Sequence, residues 1–373
     1  MTGRRRWATR ALALGCALAV ARLAVPWWCG RDADAWYRDD PAIQRALANE
    51  LIAFEAQTPV AGKDRFTGEW ALVTHQMVAL GLGQLCLAHP EWRIELASIV
   101  TRAATRSFAR EMRAFGTLAW HGEDAIASLA GDHGHAYLAY PALALGMARL
   151  VDPAFPPELA AQHDALIAAY ERRLLASPTG LIETYPGEAY PTDVAAVAGA
   201  IAMHGRATHS DHARVLRYWA DQARARLDPE SGLVIQRMDA TTGAAHDAPR
   251  ASGTALAAYF AAFADPDLAR LLARATLAQR ATHLGFGAIR EYGDRPAGPG
   301  DVDSGPVVLG VSVSATGFAL AAARLAGDAD AFVALYRTTD LFGLPIEVGA
   351  RRGFAVGGPI GNALLLALLT VAR

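Results

Sequence analysis

The feature that most constrains the fold of this chain is an alternation of two kinds of predicted helix after residue 40. Helices of the first kind are amphipathic and charged, and they cover residues 40–56, 92–114, 156–176, 209–227, 266–283 and 328–341. Helices of the second kind are apolar nearly all round, and they cover residues 69–88, 134–151, 190–205, 250–264, 306–326 and 358–372. A helix that is apolar on every side must be surrounded by protein. The alternation therefore predicts an outer ring of helices around an inner ring.

A glycine followed by a short extended run recurs after the outer helices. The five occurrences begin at Gly116, Gly180, Gly232, Gly287 and Gly343, at intervals of 52 to 64 residues. Such a period is the signature of a repeated helix pair. A chain of 373 residues exceeds the usual size of a single core, and a repetitive fold explains the length. We therefore predict an all-α fold, an (α/α)6 barrel or six-hairpin toroid, over residues 31–373, with the extended runs in its outer-to-inner connections.

The predicted connections between helices are unequal in length. Inner-to-outer connections are short, whereas the outer-to-inner ones cover residues 57–68, 115–133, 177–189, 228–249, 284–305 and 342–357. Long loops in a compact fold are usually functional or disordered. In a barrel all of them open above the starts of the inner helices. A bowl lined by these loops is therefore the default binding site.

The first thirty residues stand apart and predict export from the cytosol. Arginines at positions 4–6 precede an apolar run over residues 11–28. A basic start and an apolar middle fit a secretory signal peptide, with a cleavage site at residues 19–21. Uncleaved, the run nearly spans a bilayer as a transmembrane helix, with the arginines inside. An inner-membrane anchor is slightly favoured over a periplasmic or secreted product, and both place the barrel in the cell envelope.

Composition excludes several classes of function. The net charge is −2 and the basic residues are scattered, which argues against a nucleic-acid partner. Cys16, Cys29 and Cys86 form neither a metal-ligand spacing nor a disulfide framework. Nucleotide-binding and zinc-protease motifs are missing from the sequence. We therefore predict no cofactor and no metal, and the pattern leaves an oligomer open.

Residues 180–204 contain the densest group of candidate site residues. A short extended run and a Pro-Gly turn lead into a predicted helix whose first turn begins with proline, which suits that position. The polar and aromatic side chains of this stretch are Glu183, Tyr185, Glu188, Tyr190 and Asp193. Helix capping and a solvated turn explain any one of them. Their accumulation ahead of a buried helix favours a site.

Two other connections carry candidates. A histidine at the predicted start of an inner helix can act as an acid or a base, although such a histidine is often a structural cap. Acidic residues before a glycine-rich helix are placed for close approach of a ligand. The candidates in these connections are Glu123, Asp124, His135, Glu291, Tyr292, Asp301 and Asp303.

In the order and spacing of its elements the chain resembles the linalool dehydratase/isomerase family. The segments that carry the resemblance are GHAYLAYPALALGMARL, GLIETYPGEAYPTD, DPESGLVIQRM and GDVDSGPVVLGVSVSATGFALAAARLAGD, within about two-thirds of the chain. The resemblance implies an (α/α)6 barrel acting on monoterpene alcohols, with a catalytic histidine at His135. The family also uses two cysteines in the stretch that matches residues 180–193. Those positions are Glu183 and Thr192 in this chain, so a thiol mechanism cannot operate there.

The leading interpretation is an acid–base enzyme that eliminates water from a small alcohol or isomerises it. Such a lyase or isomerase needs an acid for the leaving oxygen and a base for a neighbouring C–H group across one pocket. The predicted catalytic residues are His135, Glu183, Glu188 and Asp193. The predicted substrate-binding residues are Tyr185, Tyr190, Glu123, Asp124, Glu291, Tyr292, Asp301 and Asp303.

Two other classes of function stay open. A carbohydrate-active enzyme, either a glycoside hydrolase or a polysaccharide lyase, would use two carboxylates on either side of the scissile bond. Glu183 or Asp193 would then act with Asp301 or Asp303. A non-catalytic envelope protein that binds glycans would keep the bowl without the chemistry. In the leading interpretation the site residues meet across one central cavity, and Glu183→Gln abolishes turnover.

Overall fold

The computed structural model describes residues 2–62, 64–295, 298–301 and 304–372, and the side chains from residue 6 onward within them. Helices account for 64% of the structure, so the protein is mostly α-helical. The helices are α1 (Thr2–Cys29), α2 (Ala33–Tyr37), α3 (Pro41–Glu55), α4 (Arg65–Ala88), α5 (Arg93–Phe108), α6 (Arg110–Ala119), α7 (Ala139–Val151), α8 (Pro157–Ala176), α9 (Pro191–Thr208), α10 (Ala213–Ala225), α11 (Ala251–Ala261), α12 (Pro266–Ala278), α13 (Val313–Ala326), α14 (Ala329–Gly343) and α15 (Gly358–Leu369). The strands are β1 (Arg280–His283), β2 (Phe286–Arg290), β3 (Val307–Val308), β4 (Val311–Ser312), β5 (Pro345–Val348) and β6 (Arg351–Phe354).

The two predicted kinds of helix are both present. The apolar helices are α4, α7, α9, α11, α13 and α15, and most of their residues are buried. The amphipathic helices are α3, α5, α8, α10, α12 and α14, and each buries one face. The hydrophobic pattern of the sequence alone therefore distinguished the largely buried apolar helices from the amphipathic ones.

Several amphipathic helices begin where the sequence supplies a cap. Asp40, Asp265 and Asp328 each accept a backbone N–H from the first turn of α3, α12 and α14, respectively. In α3 and α12 a proline follows the aspartate, where its missing N–H costs nothing. The carboxylates satisfy free N–H groups and meet the positive end of the helix dipole.

The apolar helices pack on one another in chain order, and the last of them, α15, packs on the first, α4. Hydrogen bonds between neighbouring apolar helices connect the start of one helix to the start of another, or the end of one to the end of another. Thr192 at the start of α9 donates to the carbonyl of Gly253 at the start of α11 (3.0 Å), and Gln84 near the end of α4 donates to the carbonyl of Ala367 near the end of α15 (2.8 Å). We call the end where these helices begin the loop face, because the long connections meet there. The other end is the opposite face.

Two details of the sequence prediction are wrong. The predicted helix over residues 92–114 is interrupted at Ala109, which is extended, and Arg113 Nε donates to the Phe108 carbonyl at the break (2.9 Å). The run after Gly116, predicted to be extended, is the last turn of α6. Gly116 lies against the ring of Tyr137, where a Cβ would come within 2.1 Å of a ring atom. That glycine permits close packing between α6 and the next element rather than an extended run.

Strands replace two predicted helix ends. The outer helix predicted to reach residue 283 ends at Ala278, because β1 pairs with β2 as an antiparallel hairpin. The inner helix predicted from residue 306 begins at Val313, because β3 and β4 precede it. These strands form one sheet in the order β1-β2-β4-β3, and β5 and β6 form a second hairpin.

The N-terminal helix α1 touches the rest of the molecule only near its end among the described side chains, where Pro26 and Cys29 are buried. Its described side chains before Pro26 are exposed, and it packs on α14. Two helices in the described part of the chain are long and apolar enough to cross a membrane, α1 with its continuation and α4. The apolar window of α4 is 72% buried, as a core helix would be, whereas that of α1 is 11% buried.

Candidate functional site

The structure divides the predicted site residues into two groups on the loop face. The first group lies near the starts of α4, α7 and α9 and contains Glu123, Asp124, His135, Glu183, Tyr185, Glu188, Tyr190 and Asp193. The second group lies in the chain between the starts of α11 and α13 and contains Glu291, Tyr292 and Asp301. Asp303, also predicted, lies outside the described residues.

Asp193 lies in the first turn of α9 and is buried. Its Oδ1 accepts a hydrogen bond from the Tyr140 hydroxyl and its Oδ2 accepts one from the Thr184 hydroxyl, each at 2.5 Å. Burial raises the pKa of Asp193 above its usual value, and the two hydroxyl donors oppose this only in part. This carboxyl is therefore placed to retain a proton that an exposed aspartate would lose.

Glu188 lies on the turn before α9 and is held as an anion. Its Oε2 accepts hydrogen bonds from Arg65 (2.8 Å) and from the Tyr190 hydroxyl (3.2 Å), and its Oε1 accepts one from Arg237 (3.4 Å). Burial acts to raise the pKa of Glu188, but the hydrogen bond and charge of Arg65 outweigh it, so the pKa is lowered. The carboxyls of Glu188 and Asp193 therefore have pKa values displaced in opposite directions.

Arg65 and Glu69, which the sequence did not single out, belong to this group through α4. The Arg65 guanidinium carbon lies 3.6 Å from the centroid of the Tyr185 ring. The Tyr185 hydroxyl donates to Glu69 Oε2 at 2.9 Å, and burial raises the pKa of Tyr185. Residues 65 and 188 are 123 positions apart, and no local pattern connects them. Only the packing of α4 beside the turn before α9 identifies Arg65.

An open cavity of about 260 Å³ lies between α4, α6 and the turn before α9. Its lining residues are Arg65, Phe115, Leu118, Ala119, His121, Tyr185, Pro186 and Glu188. The volume is just below the range typical of drug-sized ligands, so it suits a small molecule. The lining combines apolar walls with a few charged groups, which is the usual composition of a small-molecule site.

His135 does not line this cavity. It precedes α7 in a left-handed conformation with φ of 62°, and its side chain is fully buried. Nε2 lies 3.3 Å from Glu123 Oε1, whereas Nδ1 has no hydrogen-bond partner among the described residues. Burial lowers the pKa of His135, and Glu123 opposes this effect. Burial therefore disfavours the protonated imidazole, and Nδ1 is the ring nitrogen without a hydrogen-bond partner among the described residues.

An aromatic layer separates His135 from the cavity. The Trp120 ring lies against the imidazole, with centroids 4.2 Å apart. The Tyr137 centroid is 6.1 Å from that of His135 and 6.2 Å from that of Tyr185, whose ring lines the cavity. One aromatic side chain, Tyr137, therefore lies between His135 and the cavity-lining ring of Tyr185. This position is compatible with two roles for His135, packing support for the cavity wall and proton transfer.

Glu183 is half-buried and closes the turn that follows it. Its Oε1 accepts a hydrogen bond from the backbone N–H of Gly187 at 3.2 Å. Its backbone carbonyl accepts one from Ala136 at 2.9 Å, which holds the stretch beside His135. The structure therefore gives Glu183 a turn-capping contact, and its catalytic role stays a prediction.

Glu123 and Asp124 occupy the connection before α7. Glu123 is exposed. A hydrogen bond from Ser128 is the main cause of its lowered pKa, and burial opposes this effect. Asp124 Oδ1 accepts backbone N–H bonds from Ile126 (2.9 Å) and Ala127 (3.2 Å). Asp124 therefore caps the short helical turn that follows it.

The second group surrounds a buried carboxyl, Glu291. Its Oε1 accepts a hydrogen bond from the Ser252 hydroxyl at the start of α11 (2.5 Å), and burial raises its pKa. Beside it, Arg250 forms an ion pair with Asp301 and lies over the Tyr292 ring, 5.3 Å from the centroid. Burial acts to raise the pKa of Asp301, but backbone hydrogen bonding and Arg250 lower it overall. Asp301 is therefore held as an anion.

The two groups lie on neighbouring helix starts, since Thr192 and Gly253, which are hydrogen-bonded, adjoin Asp193 and Ser252. A single cavity shared by all the predicted residues stays a prediction. A second, narrow pocket of about 30 Å³ lies among α9, α10, α11 and α12 and is lined by none of them. Across the described ranges, no cluster of three or more His, Cys, Asp or Glu residues is arranged to hold a metal ion.

Comparison with known proteins adds no assignment. No protein-family model matches the chain, and a search of curated proteins found no match. The resemblance to the linalool dehydratase/isomerase family therefore has no independent support. A functional assignment therefore rests on the geometry of the loop face.

Proposed function

We propose that the protein is an acid–base enzyme that eliminates water from a small alcohol, or isomerises it, in the cavity beside Glu188. The observation that carries this proposal is the position of Glu188 in the cavity wall, held by Arg65 and Tyr190. It lies five residues before the buried Asp193, and the pKa of Glu188 is lowered whereas that of Asp193 is raised. Carboxyls whose environments push their pKa values apart are the usual assignment of acid and base. The apolar side chains of the cavity wall, such as Phe115, provide a contact surface for the apolar part of such an alcohol.

The two carboxyls have complementary roles in this proposal. Glu188, oriented by Arg65 and Tyr190, takes a proton from a carbon next to the alcohol carbon. The electron pair of that C–H bond forms the new double bond as the C–O bond breaks. In this proposal the leaving oxygen takes a proton that originates on Asp193, so that water leaves. Because Asp193 and Thr184 do not line the cavity and Thr184 donates to Asp193 in the structure, the transfer requires the Thr184 hydroxyl to reverse its hydrogen bond and reach the substrate. Proton exchange with solvent then returns both carboxyls to their starting states.

The fold in this proposal is an (α/α)6 barrel. Its support is the order of contacts among the apolar helices, which runs from α4 to α15 and returns to α4. The hydrogen bonds between like helix ends also support it, because the inner helices of such a barrel run in one direction.

The location in this proposal is the cell envelope, with α1 in the inner membrane and the rest of the chain outside the cytosol. The apolar, exposed character of α1 and the arginines at positions 4–6 support it. A reporter fused after the last residue should be active only outside the cytosol. Reporter activity confined to the cytosol would contradict the location and leave the chemistry untouched.

The chemistry is tested with purified full-length protein and a panel of small alcohols, with alkene products measured by gas chromatography. Glu188→Gln and Asp193→Asn should each lower kcat by about 100-fold or more, the usual worth of a general acid or base. Glu158→Gln, in the first turn of α8, is the matched control and should keep full activity. Retention of turnover in both site variants, or no conversion of any alcohol, would overturn the proposal. Release of the aryl group from aryl glycosides would instead favour the carbohydrate-active class.

A further inference from the structure

Three histidines lie together on the opposite face, away from the cavity beside Glu188. His163 belongs to α8, His204 lies near the end of α9, and His212 is the residue before α10. The centroid of the His204 ring is 5.1 Å from that of His163 and 5.0 Å from that of His212. The three imidazoles therefore connect three consecutive helices.

His204 and His212 form the middle of a series of hydrogen bonds that has a carboxyl group at each end. His204 Nδ1 lies 2.9 Å from His212 Nε2. His204 Nε2 lies 2.9 Å from Asp164 Oδ1, and His212 Nδ1 lies 2.8 Å from Glu171 Oε1. All four ring nitrogens of the two imidazoles are therefore engaged. We call these four residues the histidine cluster.

The number of protons in the histidine cluster follows from these bonds. A neutral imidazole carries one N–H group and one bare nitrogen, and an ionised carboxylate only accepts hydrogen bonds. The two bonds to the carboxylates use one N–H group of each histidine, so the bond between His204 and His212 requires a third. The Thr208 hydroxyl does not supply it, because it lies 3.4 Å from His204 Nδ1 and only 2.8 Å from the His204 carbonyl oxygen. The series is therefore complete only when one of the two imidazoles is an imidazolium.

The charged groups that face the histidine cluster from α7 and α8 allow one extra proton and oppose a second. Burial acts to raise the pKa of Asp164, but hydrogen bonds from Arg149 and His204 lower it overall, so this acceptor stays ionised. Burial lowers the pKa of His204; Asp164 opposes this effect, and the charge of His212 adds to it. Burial also lowers the pKa of the neighbouring His163, to about 3. The extra proton therefore belongs on His212.

We propose that the histidine cluster is a pH-sensitive switch that holds the start of α10 against α8 and α9 while His204 and His212 share one extra proton. In mild acid the series of hydrogen bonds is complete. As pH rises through the range in which histidine titrates, the proton leaves and the bond between the two imidazoles is lost. The switch lies outside the cavity, and the inference does not depend on the proposed reaction.

The helix that this switch holds has the least buried surface to retain it. Among the amphipathic helices, α10 buries the fewest side chains, which are Val215, Trp219 and Ala220. Tyr218 and Arg224 also bond to neighbouring elements, but they lie in later turns of the helix. A helix with few buried apolar contacts opens at a low cost in free energy. Loss of the bond between the imidazoles should therefore release the start of α10 before other helices.

The switch is tested by amide hydrogen exchange of the full-length protein in detergent, measured by mass spectrometry at about pH 6 and about pH 8, on either side of the range in which histidine titrates. Exchange times are corrected for the intrinsic pH dependence of the exchange rate. Peptides from α10 should exchange severalfold faster at the higher pH, whereas peptides from α12, an amphipathic helix without such a cluster, should not. An equal change in α10 and α12 would overturn the proposal.

Two variants distinguish the extra proton from ordinary packing. His212→Gln cannot ionise, so protection of α10 should lose its pH dependence and match the wild type at the higher pH. Glu171→Gln removes a carboxylate that favours the positive charge, so α10 should loosen at a pH lower by about one unit. His246→Gln, which replaces an exposed histidine elsewhere, is the control and should behave as the wild type.

Wild-type pH dependence in His212→Gln would overturn the proposal, and so would an unchanged midpoint in Glu171→Gln. If His212→Gln does not fold, the midpoint of Glu171→Gln decides, because Glu171 is partly exposed and its replacement keeps the shape of the side chain.

Discussion

The loop face has two halves that differ in the kind of side chain they bury or expose. One half buries carboxyl groups, and the other exposes large apolar side chains. Around α7, α9 and α11 it buries carboxyls such as Asp193 and Glu291, each held by a serine, threonine or tyrosine hydroxyl. Around α13, α15 and α4 it exposes side chains such as Leu309 and Phe342. Buried carboxyl groups and exposed leucine side chains are both disfavoured when folding alone is considered. The proposed function places its chemistry in the first half, where burial raises the pKa values of Asp193 and Glu291.

Removal of Asp193 should have the largest effect on stability. Asp193→Ala leaves the buried hydroxyls of Tyr140 and Thr184 without their acceptor. Each unsatisfied buried group costs about 1–3 kcal/mol, so the free energy of unfolding should fall by about 3 kcal/mol. Denaturant unfolding in detergent, followed by circular dichroism, measures the loss. In a background with Tyr140→Phe and Thr184→Val the same replacement should cost much less, and an equal cost would show that the hydroxyl bonds are not the cause.

A buried histidine outside the candidate site, on the opposite face, provides a reference for the effect of burial alone on stability. His163 is fully buried, and burial, the largest effect, lowers its pKa to about 3. Because the unfolded histidine binds a proton below about pH 6.5 and the folded one does not, acid favours unfolding. From pH 7 to pH 5 this residue should remove about 2 kcal/mol of stability, and His163→Phe should flatten that dependence.

The matched control for this pH dependence is His246→Gln, because His246 is exposed. Unfolding free energies at the two pH values should differ as much in this control as in the wild type. An unchanged slope in His163→Phe would mean that other groups govern acid unfolding.

Loss of the Arg65 clamp should have a smaller effect, confined to the first half of the loop face. Arg65→Met removes the partner that lowers the pKa of Glu188, at a cost of about 1 kcal/mol at pH 7 for a partly exposed pair. A carboxyl with a lowered pKa contributes stability above its unfolded pKa and loses it as pH falls through the folded pKa. The difference between variant and wild type should therefore disappear in acid. Arg237→Met, which removes a longer contact of 3.4 Å, should have less effect, and the reverse order would displace Arg65 from this role.

The smallest expected effect is a gain in the apolar half. Leu309→Asn places a residue that tolerates the left-handed region at the tip between β3 and β4, where φ is 52°, which should stabilise the detergent-solubilised chain by up to about 1 kcal/mol. Leu271→Asn, in the helical α12, is the control and should not be stabilising. Thermal unfolding of both variants measures the difference. A lower melting temperature for Leu309→Asn would show that the tip is not strained.

Only part of the candidate site was predictable from the sequence. Glu188, Tyr190 and Asp193 lie within one turn and one helix start, so adjacency in the chain identified them. Arg65 and Arg250 were missed, because their importance comes from partners on other elements. Glu183 was predicted as a catalytic residue because of its position in the chain. Its contacts in the structure are those of a turn cap.

The sequence by itself determined most of the helical segments and which of them are largely buried, because periodicity, caps and prolines are local properties that fix local conformation. It also determined that α1 is long and apolar, whereas the structure showed that most of it is exposed. Tertiary structure alone decided that Arg65 holds Glu188 as an anion, that Asp193 is buried between two hydroxyls, and that the tip at Leu284 and Gly285 packs on the end of α1. Charge state and the packing of such a tip depend on distances between residues remote in the chain, and only the folded structure fixes those distances.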